Sequence, residues 1–198
     1  MNCFLRQIQL RIYKAEESGL AELYRLFNKK LFHFSKAITR SIEESEEIVE
    51  DVFVRLWCNR YNIMQIENLR VYLYVAVKNR SLNVATRKTQ ELMNISFDEL
   101  DVEAREITMD PCQIMISAER VKKVEAAIAS LPPRCKLIFK LVREDGLKYK
   151  EVAEILDISV NTIDVQIAIA LKKISAALRN DDFFKGFASR PGMTKGRN

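Results

Sequence analysis

Between Leu20 and Asp110 the chain contains neither glycine nor proline. A sheet protein needs such residues at short intervals to turn its strands, so this long uninterrupted stretch points to helices. The expected fold class is therefore all-α. Charged residues make up 30% of the sequence and hydrophobic residues 48%, a balance that suits packed bundles rather than disorder. At 198 residues there is room for one domain or two small ones.

Apolar spacing locates the helices. The first runs from about Ser18 to Thr39, with Leu20, Leu23, Leu26/Phe27, Leu31 and Phe34 along one side. A second begins near Ser45 and reaches about Arg60. Its pairs Ile48/Val49, Val52/Phe53 and Leu56/Trp57 recur every four residues, and Glu43, Glu44, Glu46 and Glu47 cluster at its start, where the helix dipole favours negative charge. A third covers about Glu67 to Lys88, with Leu69, Leu73, Ala76/Val77 and Val84 inward and Arg80 close to that inward side. From Glu91 to about Ile116 periodicity fades. Helices resume from about Ser117 to Ser130 and, after Pro132-Pro133, to about Asp145.

The segment from Leu147 to Lys173 reads as a short helix, a tight turn and a longer helix opening on Ser159, whose side chain can accept a hydrogen bond from the next turn. Ala153 allows close helix crossing, Ile158 plugs the turn, and Ile163, Ile167, Leu171 and Ile174 form one buried stripe. This is the pattern of a helix-turn-helix, whose second helix fits the DNA major groove; a helical hairpin that merely packs has the same spacing.

Charge distribution adds to this. Between Glu91 and Ala118 seven acids face one base, Arg105, whereas Glu119 to Asn180 carries twelve bases against eight acids. The formal charge of +5 and pI near 9.0 favour a polyanionic partner, held at the basic ends of an acidic tether. Cys3, Cys58, Cys112 and Cys135 are scattered and His33 is the lone histidine, so neither a metal site nor a nucleophilic triad is expected, and no phosphate-binding glycine loop is present. Unpaired thiols suit a reducing cytosol. Residues 1–14 carry Arg6, Arg11 and Lys14 without a continuous apolar run, unlike a secretory leader, and no segment approaches the roughly 20 apolar residues of a membrane span. The expectation is a soluble cytoplasmic protein without catalytic residues, cofactor, small-molecule substrate or membrane insertion.

Two further faces have open readings. Asn79, Asn83 and Arg87 fall four apart near the end of the third helix, followed by Lys88. Amides read base edges and cations hold phosphates, while Tyr72 and Tyr74 upstream are suited to stacking on unpaired bases; a solvated polar face reads the same way. The second helix, around Glu50 to Trp57, has more apolar positions than one narrow stripe requires. Either both flanks are buried or part of it meets a protein partner.

These segments, in this order, resemble an extracytoplasmic-function (ECF) sigma factor of the sigma-70 family of bacterial RNA polymerase. The run Ser45 to Trp57 is similar to the family's polymerase-binding helix, Leu69 to Lys88 to its promoter-melting helix, and Leu131-Pro132-Pro133-Arg134-Cys135-Lys136 through Lys173 to its second domain. The resemblance covers about residues 15 to 180. It implies two small helical domains joined by an acidic linker, the second ending in the helix-turn-helix: a polymerase-binding and melting domain over 1–90, a linker over 91–117, a recognition domain over 118–180 and a mobile tail over 181–198. By the same resemblance Glu50, Asp51, Val52, Phe53, Arg55 and Trp57 contact core polymerase. Asn79, Arg80, Asn83, Arg87 and Lys88 act on the minus-ten element, and Ser159, Asn161, Thr162, Val165, Gln166, Ile169, Lys172 and Lys173 on the minus-thirty-five element. A sequestering anti-sigma protein is implied as a further partner. The family often has Gln where this chain has Glu50, and many relatives carry Asn, His and Lys near 165, 166 and 169, where this chain has Val165, Gln166 and Ile169. An outward Val and Ile would meet thymine methyls rather than hydrogen-bonding groups.

Overall fold

Local capping chemistry sets where the helices start and stop. In the computed structural model, which describes residues 2–90 and 123–179, with side chains for 3–87 and 123–176, the elements are α1 (Asn2–Tyr13), α2 (Glu17–Thr39), α3 (Ile42–Cys58), a 3-10 turn (Arg60–Gln65), α4 (Leu69–Gln90), α5 (123–129), α6 (Pro133–Arg143), α7 (Tyr149–Leu156) and α8 (Val160–Arg179). No strand occurs among the described residues. The expected linker, 91–117, and tail, 181–198, lie outside them.

The corner between α2 and α3 shows the local logic. Arg40 closes α2 in the left-handed region, φ 60°, and its amide donates to the Lys36 carbonyl. Ser41 then caps α3, its Oγ accepting the Glu44 amide at 3.3 Å, with Glu43 and Glu44 in the dipole-favoured first turn. α3 therefore starts a turn earlier than the expected Ser45. That serine is instead fully buried and shares a hydrogen bond of 2.8 Å with Thr39 across the corner.

The sequence reading did not anticipate α1. Its Ile8 and Ile12, one helical turn apart, enter the core, and the buried Gln9 amide donates at 2.8 Å to the carbonyls of both Ile63 and Ile66. α1 can lie this close to α2 because residue 19 is glycine: a Cβ there would fall 2.9 Å from Cβ of Arg11. α2, α3 and α4 pack around Leu23, Leu31, Val49, Leu56, Leu73 and Val77. Within this apolar interior Ser35 of α2 and Ser81 of α4 share a 2.8 Å hydrogen bond, which satisfies two hydroxyls that water cannot reach.

In the second group of helices Pro133 opens α6 at a position whose amide has no helical partner to lose, and α6 and α7 bury Leu137, Ile138, Leu141, Val152 and Ile155 against α8. The groups meet where α4 packs on α7. Tyr74 donates its hydroxyl to Asp145 at 2.8 Å and Arg70 donates to the Gly146 carbonyl at 3.0 Å. The Asn68 amide donates to Glu151 at 2.9 Å. Gly146 makes the reversal possible, since its φ of +70° is rarely adopted by a residue with a side chain.

Candidate nucleic-acid interface

On α4 the structure separates the predicted residues. Asn79, Asn83 and Arg87 are exposed on one side, opposite buried Val77 and Ser81. Arg80 is half-buried and reaches back across the bundle to pair with Asp51 of α3. The Lys88 side chain lies outside the described residues. Of the two tyrosines, Tyr72 is exposed, but Tyr74 is only 1% exposed, its ring edge-on to Phe34 at 5.2 Å. Tyr74 is thus unavailable for base stacking; its ring belongs to the core and its hydroxyl to the contact with α7.

The α3 residues divide between core and surface. Val52 and Phe53 are 3% exposed, so these two predicted contact residues are enclosed in the bundle, Phe53 against Tyr24 with ring centroids 5.0 Å apart. Glu50 and Arg55 are exposed, while Asp51 and Trp57 are half-buried. Arg55 donates to the Asp51 carboxylate at 3.2 Å, so one carboxylate serves two arginines. Sequence reasoning passed over what lies beside them. Val54 is 58% exposed, and Arg60 places its guanidinium 5.2 Å from the Trp57 ring centre and 4.7 Å from that of Tyr61. A valine beside buried Phe53 and an Arg-Tyr pair just past the helix end were the available signals. The aromatic–arginine stack is the kind of surface that protein interfaces favour.

The helix-turn-helix geometry rests on three local devices. Glu151 accepts the Lys148 amide at 2.8 Å, closing the start of α7. Asp157 ends that helix in the left-handed region at φ 55°, and the Ile158 amide returns to the Ala153 carbonyl at 3.0 Å. Ser159 accepts the Thr162 amide at 3.0 Å, and the two hydroxyls lie 2.8 Å apart. Ser159 and Thr162 are therefore engaged with each other at the mouth of α8.

Along α8 the buried positions are Ile163, Ile167 and Ala170, with Ile174 half-buried. Steps of four, three and four keep to one side of a 3.6-residue helix, whereas the expected fourth-residue step to Leu171 drifts off it; Leu171 is 41% exposed. The exposed residues between 161 and 173 are Asn161, Asp164, Val165, Ala168, Ile169, Leu171, Lys172 and Lys173, while Thr162 and Gln166 are half-buried. The middle of this face is apolar, Val165 being 56% exposed. Behind it, Cys135 donates to the Gln166 carbonyl at 3.2 Å, and burial pushes its thiol pKa up despite the opposing Lys173 charge and the Ala170 backbone.

Residues 122–174, which include this unit, match the family model described as sigma-70, region 4. A curated relative, the ECF RNA polymerase sigma factor SigW of Bacillus subtilis (strain 168), is 19% identical over 186 residues, covering 91% of this chain and all of its own length. Over most of its length the chain is therefore similar to ECF sigma factors, with the sigma-70 region 4 pattern at residues 122–174. A probable RNA polymerase sigma factor, RfaY of Xanthomonas campestris pv. campestris, is 23% identical over 164 residues; the match takes in 79% of this chain and 40% of that longer protein. The fold is similar to that of CnrH, solved in complex with the cytosolic domain of CnrY, with a TM-score of 0.53, 15% identity, and coverage of 89% of this chain and 98% of that chain. Among its described residues no helix is long and apolar enough to cross a membrane, and no three His, Cys, Asp or Glu side chains gather as metal ligands would.

Proposed function

We propose that this protein is a transcription initiation factor: it joins core RNA polymerase, directs it to promoters and helps open the duplex, while the polymerase supplies the bond-forming chemistry. The observation that carries this reading is the match to sigma region 4 over residues 122–174, a segment whose last two helices present an outward α8 face. That face bears Asn161, Val165, Ile169, Lys172 and Lys173 toward the minus-thirty-five element, with Ser159, Thr162 and half-buried Gln166 at its edge. Asn79, Asn83 and Arg87 on α4, continuing into Lys88, act on the minus-ten strand. Glu50, Arg55 and Trp57, extended by Val54, Arg60 and Tyr61, meet the polymerase.

The domain assignment follows: 1–90 for polymerase binding and melting, 91–117 as tether, 118–180 for upstream recognition. Function is cytoplasmic, where polymerase and promoter are. A protein that covers these faces would act as an anti-sigma partner, in keeping with the complex in which the structural relative CnrH was solved.

The test is reconstitution. The purified chain is added to core polymerase on selected genomic fragments and run-off transcripts are scored. Promoter-specific transcripts that require the chain are expected; fragment binding without polymerase and without transcripts would instead identify an autonomous helix-turn-helix regulator.

A further inference from the structure

The polar face of α4 does not orient itself. Taking Ser81 as the reference direction at about 100° per residue, Asn79 and Asn83 both lie about 160° away, diametrically across the helix. Ser81 is fully buried and bonded to Ser35 of α2. Arg80, the next side chain round, lies only about 20° from the direction of Arg87 and two turns below it. By position alone it belongs to the same cationic edge. The structure turns it the other way, onto the Asp51 carboxylate of α3. Two consecutive residues thus pin one turn of α4 to two different helices, Ser81 to α2 and Arg80 to α3. Asn79 and Asn83 occupy the side that neither pin uses.

We infer that Asp51 and Arg80 form a positioning pair that sets the rotation of α4 and so aims Asn79, Asn83 and Arg87 at DNA, with Arg80 serving the protein rather than a phosphate and Asp51 serving α4 rather than the polymerase. The inference rests on the proposed initiation role. It reassigns one residue from each of the two predicted contact sets. Arg55 shares the Asp51 carboxylate from the polymerase-facing surface, so the two surfaces of this domain are joined through a single carboxylate.

Sign and additivity distinguish a positioning pair from two direct contacts. The full chain with core polymerase is used, in wild type, Asp51→Asn, Arg80→Gln and the double variant. Core affinity, permanganate-reactive thymines on duplex promoter, transcription from a premelted bubble, and salt dependence of holoenzyme binding to the promoter are measured. Each single variant should reduce opening on duplex DNA about tenfold, and the double variant should be no worse than either single one, because both remove the same interaction. Arg80→Lys should recover part of the opening, the bubble should restore transcription, and core affinity should stay within about threefold of wild type.

If Arg80 contacted a phosphate, Arg80→Gln would flatten the log–log salt slope by about 0.9. Asp51→Asn, by releasing Arg80, would then increase opening. Either result overturns the inference, as do additive losses in the double variant or a loss of core affinity in Asp51→Asn equal to that from reversing Arg55. Should Asp51→Asn unfold, judged by its helical circular dichroism, the salt slope of Arg80→Gln and the rescue by Arg80→Lys decide alone. Absence of any chain-dependent transcript from wild type would instead refute the initiation role itself.

Discussion

Replacing Tyr74 with Phe would isolate one of the contacts that hold the two groups of helices together. The substitution keeps the ring, and hence the edge-on packing against Phe34, and removes only the hydroxyl that donates to Asp145 at 2.8 Å. A hydrogen bond to a charged group contributes about 1.5–3 kcal/mol. Because Asp145 is only half-buried, the lower end applies, about 1.5 kcal/mol, or about tenfold in the ratio of docked to separated domains. Energy-transfer dyes report that ratio when placed on the exposed Cys58 of α3 and on an Asp164→Cys substitution in α8, with Cys3 and Cys112 changed to Ser. The low-transfer population should rise about tenfold relative to the high-transfer one, while Tyr72→Phe, at an exposed site of the same helix, should leave it unchanged. A ratio within twofold of wild type for Tyr74→Phe would refute the reasoning. Acid provides a second handle on this junction. Partial burial of Glu151 pushes its pKa up, but the Lys148 amide, the Asn68 amide, and the Arg70 and Lys148 charges outweigh burial and hold it below the ordinary glutamate value. A lowered folded-state pKa means that the stabilisation is fully present above the ordinary value and is lost as pH falls through the lowered one. Acidification through that window should therefore raise the low-transfer population, and Glu151→Gln should abolish that component of the pH response.

Replacing Asn83 and Arg87 with Ala should reduce permanganate-reactive thymines at the start site with core binding intact, and a premelted bubble template should recover much of the lost transcription; a bubble that gives no recovery would remove these residues from strand opening. On α8, Ile169→Lys adds a cation to a face whose centre is apolar, so full-length protein without polymerase should bind duplex DNA more tightly, with a log–log salt slope steeper by about one and weaker sequence preference in a salt titration. Tight binding by the wild type alone at physiological salt would count against that reasoning. Truncating Ile163, fully buried beneath the same helix, to Ala should cost about 2–5 kcal/mol of stability in a denaturant titration followed by circular dichroism. Cys3 and Cys58, both exposed, should alkylate in the native protein, whereas Cys135, buried and with a raised pKa, should react only on unfolding, as followed by mass spectrometry after timed quenching.

Helical class, helix order and the capped entry to α8 were legible in the chain because each depends on neighbours within a few residues. A stretch free of Gly and Pro cannot turn often, and Ser159 caps with its own side chain the amide three residues on. The face of α4 carrying Asn79, Asn83 and Arg87 was legible for the same reason, since spacing of four fixes a helix side. What the sequence left open concerns partners distant along the chain. Whether Val52 and Phe53 faced a partner or the core depended on how α2 and α4 close over α3, and they are enclosed. Tyr74 looked like a stacking residue until its hydroxyl found Asp145, 71 residues later. Arg80 looked like one of several DNA-facing cations until Asp51 took it from a neighbouring helix. α1 was missed because its apolar signal, chiefly Ile8 and Ile12, is short, and its anchoring depends on Gln9 meeting carbonyls 54 and 57 residues away. Periodicity determines which side of a helix is apolar or polar, because the repeat is built into the backbone. Which polar residue on that side stays free for a partner is decided only in three dimensions, where a charged group takes whichever opposite charge or hydrogen-bonding atom the packing brings within reach.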